Sequence, residues 1–215
     1  EMVRQAHELN YQAIAVTDEC SLAGVVRAWQ ALLDLKSNIK LIIGSSFHEG
    51  NHIHVALAPN KHAYHQLSRF ITSCRRQAEK GKYTFSFDHY LDELSECIHL
   101  YKAASHGSSH HSEGDPHEKI EAYLKANIAP HLLLELNLTQ QDMHHSLITH
   151  ELSNKWQLPI IASNGANMHS NQRKMLMDTL TAIRLNQPID DIQDQLELNG
   201  EHYLKPIHKL KKMYP

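Results

Sequence analysis

Val16-Thr17-Asp18-Glu19-Cys20-Ser21-Leu22-Ala23-Gly24-Val25-Val26-Arg27 decides how the chain is read. The apolar run Ala13-Ile14-Ala15-Val16 stops at two adjacent carboxylates, Asp18 and Glu19. Beyond them Leu22, Val25, Val26, Trp29, Leu32 and Leu33 recur at helical spacing. The pattern is strand, acidic loop, helix. In parallel α/β architectures ligands gather at the carboxyl ends of the strands, which places Asp18 and Glu19 where chemistry would be done. The local alternative is that both acids simply begin the helix, where its dipole favours negative charge. Taken alone, local physics favours that alternative.

Working outward, residues 1–9 read as a helix with no loop before it, as if the chain opened inside a domain. The strand at 12–17 and the helix at 22–35 lead to two strand-like runs, 40–47 and 52–58. The intervening His48-Glu49-Gly50-Asn51 has tight-turn chemistry and predicts a hairpin. A helix over 61–78 carries Tyr64, Leu67, Phe70 and Ile71 on its apolar face and ends among Arg75, Arg76, Lys80 and Lys82. Cations there complement the helix dipole; the functional alternative is a surface for nucleic-acid phosphates or for a neighbouring domain. The aromatic-rich segment 83–90 is expected to pack a loop on the exterior and to enter a short helix ending near residue 96.

Periodicity then fails over 102–116, which reads as a Gly/Ser-rich loop. His106, His110, His111 and His117 suggest metal, but such a loop supplies neither ordered ligands nor supporting partners, so adventitious nickel or zinc is the expectation. A helix at 117–125 precedes the strand 131–137, whose Leu132-Leu133-Leu134 reads as fully buried. Thr139 and Asp142 resemble a capping box for a helix with Met143, Leu147, Ile148 and Leu152 on its face. The strand 159–162 ends in the loop Ser163-Asn164-Gly165-Ala166-Asn167-Met168-His169, and the helix 172–185 presents Met175, Leu176, Leu180 and Ile183. The tail 207–215 is basic.

Strands alternating with helices, with His, Asp and Asn at strand ends, argue for a parallel α/β barrel; a doubly wound open sheet is the alternative, because strand order is not written in sequence. At 215 residues and 41% hydrophobic content, one domain with its own core is expected. A net charge of −3 gives no overall nucleic-acid footprint. Nineteen histidines imply that mild acidification turns the protein basic. Cys20, Cys74 and Cys97 form neither a disulfide framework nor a zinc knuckle, which fits a reducing cytoplasm. No apolar run approaches a membrane span of roughly 20 residues.

Asp18-Glu19-Cys20-Ser21-Leu22-Ala23-Gly24-Val25-Val26-Arg27 resembles a segment of the PHP (polymerase and histidinol phosphatase) domain in the error-prone branch of bacterial DNA polymerase III alpha subunits. Ile42-Ile43-Gly44 with Phe47, the stretch Arg75 to Tyr83 with Glu79-Lys80-Gly81, and Asp178-Thr179-Leu180-Thr181-Ala182-Ile183-Arg184 match in the same order. Asn199-Gly200-Glu201-His202-Tyr203-Leu204-Lys205-Pro206 is similar to that family's junction with the polymerase palm, while residues 97–129 match poorly.

The resemblance implies a distorted seven-stranded (β/α) barrel lacking its first strand, with a PHP domain over 1–198 and a junction over 199–215. It also implies phosphoester hydrolysis by two or three metal ions held by His, Asp and Glu from several strand ends. Position by position the family pattern thins. Asp18 matches, Glu19 stands for a histidine, Ser46 for a bridging glutamate, and Gly165 and Asn167 for an Asp-x-His pair; an upstream His-x-His pair is absent. The remnant is Asp18, Glu19, Glu135 and His169, expected to hold no metal. The expected function is therefore that of a structural, catalytically degenerate part of an error-prone DNA polymerase, with no polymerase active site of its own. Magnesium or manganese would serve the parent polymerase; zinc or manganese would bind here only in an intact PHP site. Partners implied are the rest of the polymerase, DNA through it, a sliding clamp and damage-response accessory proteins. The functional alternative is a metal-dependent PHP phosphoesterase acting on DNA 3′ ends or other phosphate esters.

Overall fold

Strands β1 (Ala13–Val16), β2 (Lys40–Glu49), β3 (His52–Leu57), β4 (Ile98–Lys102), β5 (His131–Glu135) and β6 (Ile160–Ser163) form one sheet whose spatial order is the chain order. The structure, a computed structural model, describes residues 1–104 and 114–214, so His106, His110 and His111 lie outside the described residues. Sequential order removes the doubly wound alternative, in which the order must reverse. β3 alone runs against both of its neighbours; the other pairings are parallel. The sheet curls into a half-barrel, and the expected distorted barrel is what is found. Across its opening the Asn164 amide donates to the Tyr11 hydroxyl, which itself donates to the Lys205 carbonyl.

Helices cover the outer face of this sheet. α1 (Met2–Glu8) and α2 (Ala23–Asp34) pack Val3, Ala28 and Leu32 together beside β1 and β2. The predicted hairpin is present, turning at Gly50 with a φ of 58° that a side chain would resist. α3 (Lys61–Arg76) is capped by Asn60, whose side chain accepts from the Ala63 amide, and it buries Leu67, Phe70 and Cys74. α4 (Phe87–Glu93), capped by Ser86, swings Phe85, Phe87 and Tyr90 inward. These aromatics were expected on the exterior; instead Phe47 meets Phe70, Phe85 and Tyr90 at centroid distances of 5.1, 5.7 and 5.7 Å in the main core.

α5 (Pro116–Lys125), α6 (Gln141–Trp156), α7 (Lys174–Leu185) and α8 (Ile207–Met213) complete the fold. α6 departs from its apolar pattern. Met143 and Leu147 are 72% and 63% exposed, and the inward face is His145, Thr149 and Leu152. β4 was not foreseen at all. Its inward residues are His99 and Tyr101, while Ile98 faces out.

Histidine is thus a core residue here: His52, His54, His99 and His145 are all buried. Tyr123's hydroxyl shares a 2.8 Å hydrogen bond with His54 Nδ1, and His99 Nε2 donates to the Leu94 carbonyl at 2.9 Å. Burial disfavours the imidazolium and holds His54, His99 and His145 each at about 4. Mild acidification therefore does not charge these three, and the gain of positive charge expected from composition falls to the other histidines. Because the folded values of His54, His99 and His145 lie below the unfolded one near 6.5, the unfolded chain takes up protons first and acid lowers stability. His202, raised by its hydrogen bond to Glu197 against the effect of burial, works in the opposite sense and offsets a part. Unfolding free energies from urea denaturation should fall as pH drops from about 6.5 towards 4, by ~1.4 kcal/mol per pH unit for each net proton. A flat profile through that window would mean that the histidines are not held neutral.

Candidate functional site

Because every strand except β3 points the same way, the carboxyl ends of β1, β4, β5 and β6 deliver Asp18 and Glu19, Lys102, Glu135 and Ser163 to one rim of the sheet. Glu135 ends the buried strand foreseen from its leucines, and its side chain is only 11% exposed. A carboxylate there needs a counter-charge. Lys102 supplies it, placing Nζ 2.5 Å from Glu135 Oε2, while the Ser163 hydroxyl donates to Oε1 at 3.0 Å. Burial alone would raise the Glu135 carboxyl, but the Lys102 ammonium and the Ser163 hydroxyl outweigh it and hold the group below the ordinary range.

The surroundings are fitted to that pair. Gly165 has φ 51°, and a Cβ on it would lie 2.9 Å from Glu135 Oε2, so a side chain here would be strained and would push the Glu135 carboxylate aside. His202 accepts backbone amides from Asn167 and Met168 through its carbonyl, and its Nδ1 donates to the Gly165 carbonyl at 3.0 Å. On the opposite side the Glu135 amide donates to His145 Nε2 at 3.4 Å. A cavity of about 840 Å³ opens beside the pair and is also lined by Asn137, His145, Glu197 and His202. Lys102 and Glu135 cancel one another, and the same lining also carries the carboxylates Asp142, Asp194 and Glu197.

The other residues singled out from sequence have separate commitments. Asp18 accepts from the Gly24 amide of the first turn of α2 at 2.9 Å, reaching it from before the helix, so neither acid begins the helix itself, as the local reading had them do. Glu19 accepts the Tyr83 hydroxyl at 2.8 Å. Ser46 donates to the Thr17 carbonyl. His169 Nδ1 lies 3.4 Å from a Glu1 carboxylate oxygen. Among the described residues, no three His, Cys, Asp or Glu side chains come together in a way that could hold a metal ion. Lys102 was missed because the strand that it ends was not recognised, and Ser163 and His202 because neither carries a sequence signal on its own.

The basic group at the end of α3 divides. Arg75 turns inward: Nε donates to the Cys20 carbonyl and Nη2 to that of Glu19, both at 3.1 Å, while its guanidinium lies 5.4 Å from the Tyr83 ring centre. Lys82 pairs with Glu79 at 3.0 Å. Arg76 and Lys80 are exposed and have no partner among the described residues.

Comparison with known proteins places these features in context. The PHP domain model matches residues 1–139. An error-prone DNA polymerase of Hahella chejuensis is 42% identical across the whole chain, which covers 21% of that relative. One from Teredinibacter turnerae is 39% identical, again over the whole chain and 20% of the relative. The chain thus spans about a fifth of the length of the curated relatives that it matches. In three dimensions it resembles a crystal structure from Bifidobacterium adolescentis named as a candidate metal-dependent phosphoesterase, with TM-score 0.52 and 11% identity over 76% of this chain and 80% of that one. That likeness concerns the fold. No helix among the described residues is long and apolar enough to cross a membrane.

If Lys102 is the counter-charge that Glu135 requires, Lys102→Met should destabilise the protein at pH 7 by about 3–5 kcal/mol, because a buried carboxylate is left alone. In that variant the Glu135 carboxyl rises instead of falling, so the deficit should shrink as pH drops through the ordinary carboxylate range and the group protonates. The double variant Lys102→Met/Glu135→Gln should recover most of the loss in urea denaturation. Equal losses in the single and double variants would show that the pair is not the source.

Proposed function

The chain belongs to the PHP domain family, and on that premise we propose that it is the PHP part of a longer error-prone DNA polymerase, retained as architecture rather than as a phosphoesterase. The observation that carries this reading is the Lys102–Glu135 pair: an ammonium already supplies the positive charge that a metal ion would bring to Glu135. An ammonium has no open coordination position and cannot polarise a water as a Lewis acid does.

The rest of the donor set supports the same conclusion. Asp18 is engaged at a helix start, Glu19 by a tyrosine, and His169 by Glu1. An aspartate at position 165 would collide with Glu135 and would have to adopt a positive φ. The residues present therefore do not fit a cluster of two or three metal ions, and no hydrolytic step is derived through one. In this proposal magnesium or manganese serves only a polymerase palm elsewhere, and contacts with a sliding clamp, damage-response proteins and damaged template belong to the whole cytoplasmic enzyme.

An architectural role requires surfaces. α7 exposes Met175, Leu180 and Ile183 at 78%, 49% and 69%, and α2 exposes Val26, Trp29 and Leu33 at 74%, 56% and 53%. Such apolar faces are unusual for a surface that meets only water. With relatives five times longer, we assign their cover to the polymerase portion of the longer chain. Residues 199–215 are the proposed junction, following the PHP domain over 1–198. They are tied to the rim: Tyr214's hydroxyl donates to the Ser163 carbonyl at 2.9 Å and accepts from the Leu136 amide at 2.8 Å.

Hydrolysis of bis-p-nitrophenyl phosphate and of a 3′-labelled oligonucleotide, with manganese present, tests this reading. The protein, Asp18→Ala and Glu135→Gln should all match the rate of manganese in buffer. Manganese-dependent turnover that either substitution abolishes would establish a phosphoesterase instead.

A further inference from the structure

The face of α3 turned away from the core carries the cations Arg69 and Arg76, with His62, which lies 3.0 Å from a Glu96 carboxylate oxygen, and His65 nearer its start. His62, His65, Arg69, Thr72 and Arg76 recur at alternating spacings of three and four, so they share one ridge, and all are exposed. The helix contains no Asp or Glu. At 16 residues it is roughly 24 Å long, and Arg69 and Arg76 stand two turns, roughly 10.5 Å, apart. Neither guanidinium has a partner among the described residues. Between them runs an open groove of about 590 Å³ lined by Arg69, Thr72, Ser73, Arg76 and Gln77, with Glu93 as its one carboxylate. The Gln77 amide donates to the Ser73 hydroxyl at 3.2 Å, which orders the polar floor.

We propose that this ridge binds the phosphodiester backbone of a nucleic acid strand. A planar guanidinium suits a phosphate through paired N–H donors, and one strand of duplex DNA carries a charge roughly every 3.4 Å along the axis, so the two arginines reach phosphates about three apart. A protein partner is less suited, because protein interfaces centre on apolar side chains, and no residue of α3 is among the exposed large apolar ones. The ridge is local, in a chain of net charge −3, so it is a feature of this face rather than of the whole surface. It redraws the group suspected from sequence: Arg75 and Lys82 leave it, Arg76 stays, Arg69 joins, and Lys80 lies just beyond its end. The proposal goes beyond the architectural role of the barrel and does not depend on it.

Fluorescence anisotropy with a labelled 20-nucleotide DNA, single-stranded and duplex, between 50 and 200 mM NaCl tests it. Arg69→Ala/Arg76→Ala should weaken binding at least tenfold at the lowest salt and reduce the slope of log K against log salt by about 2, one unit for each lost phosphate contact. Arg69→Lys/Arg76→Lys should keep most of the slope. Lys211→Ala/Lys212→Ala, an equal loss of charge on α8, should leave affinity within twofold. The proposal is overturned if the unsubstituted protein does not bind at 50 mM salt, or if the α8 variant loses as much as the α3 variant. Displacement of DNA by polyglutamate at lower concentration than by unlabelled DNA would overturn it in favour of an acidic protein segment.

Discussion

A carboxylate buried at the end of a strand has to be neutralised, and the rim of this half-barrel is arranged around the way Glu135 meets that demand. Withdrawing an ionised carboxylate from water costs several kcal/mol even after relaxation, more than one ordinary hydrogen bond returns. Lys102 on the adjacent strand answers the charge and Ser163 on the other neighbour answers a lone pair. Gly165 then follows from the lack of room for a Cβ, and the grip of His202 on the 165–168 backbone from the need to hold that turn in place. A metal ion could meet the same electrostatic demand. A lysine meets it with an ammonium, which has no open coordination position to offer a substrate.

Much of the architecture was legible because it rests on local rules. The run ending at Val16, the acidic turn and α2 were plain from spacing, and so was the hairpin at Gly50. One strand was missed and the buried face of one expected helix was misread for the same physical reason: those buried faces are polar. In β4 the core receives His99 and Tyr101, and in α6 it receives His145 and Thr149, so a pattern that equates inward with apolar points the wrong way. Burial of those imidazoles is made tolerable by hydrogen bonds, such as His99 with Tyr90 and Leu94, that only the assembled sheet provides. The same blindness hid Lys102, since the end of an unrecognised strand cannot be assigned to a rim.

The three surfaces of the domain divide by chemistry. The rim is polar and centred on a neutralised pair, α2 and α7 show apolar side chains to the outside, and α3 carries two exposed arginines on one face. The apolar faces suit permanent cover and the cationic ridge suits a screened, reversible contact, because buried apolar area is indifferent to salt whereas phosphate neutralisation is not. On the proposed architectural reading, such a barrel has two separate reasons to keep its shape.

The most direct measurement is the manganese content of the chelator-washed protein after re-equilibration at pH 7.5, by elemental analysis. Manganese favours carboxylate donors over the isolated imidazoles elsewhere in the sequence, so it reports on the rim. With Lys102 occupying the place of a cation, no stoichiometric manganese should remain. Two or three ions per chain would show that Glu135 and its neighbours can release the lysine and assemble a metal cluster, and the architectural reading would fall.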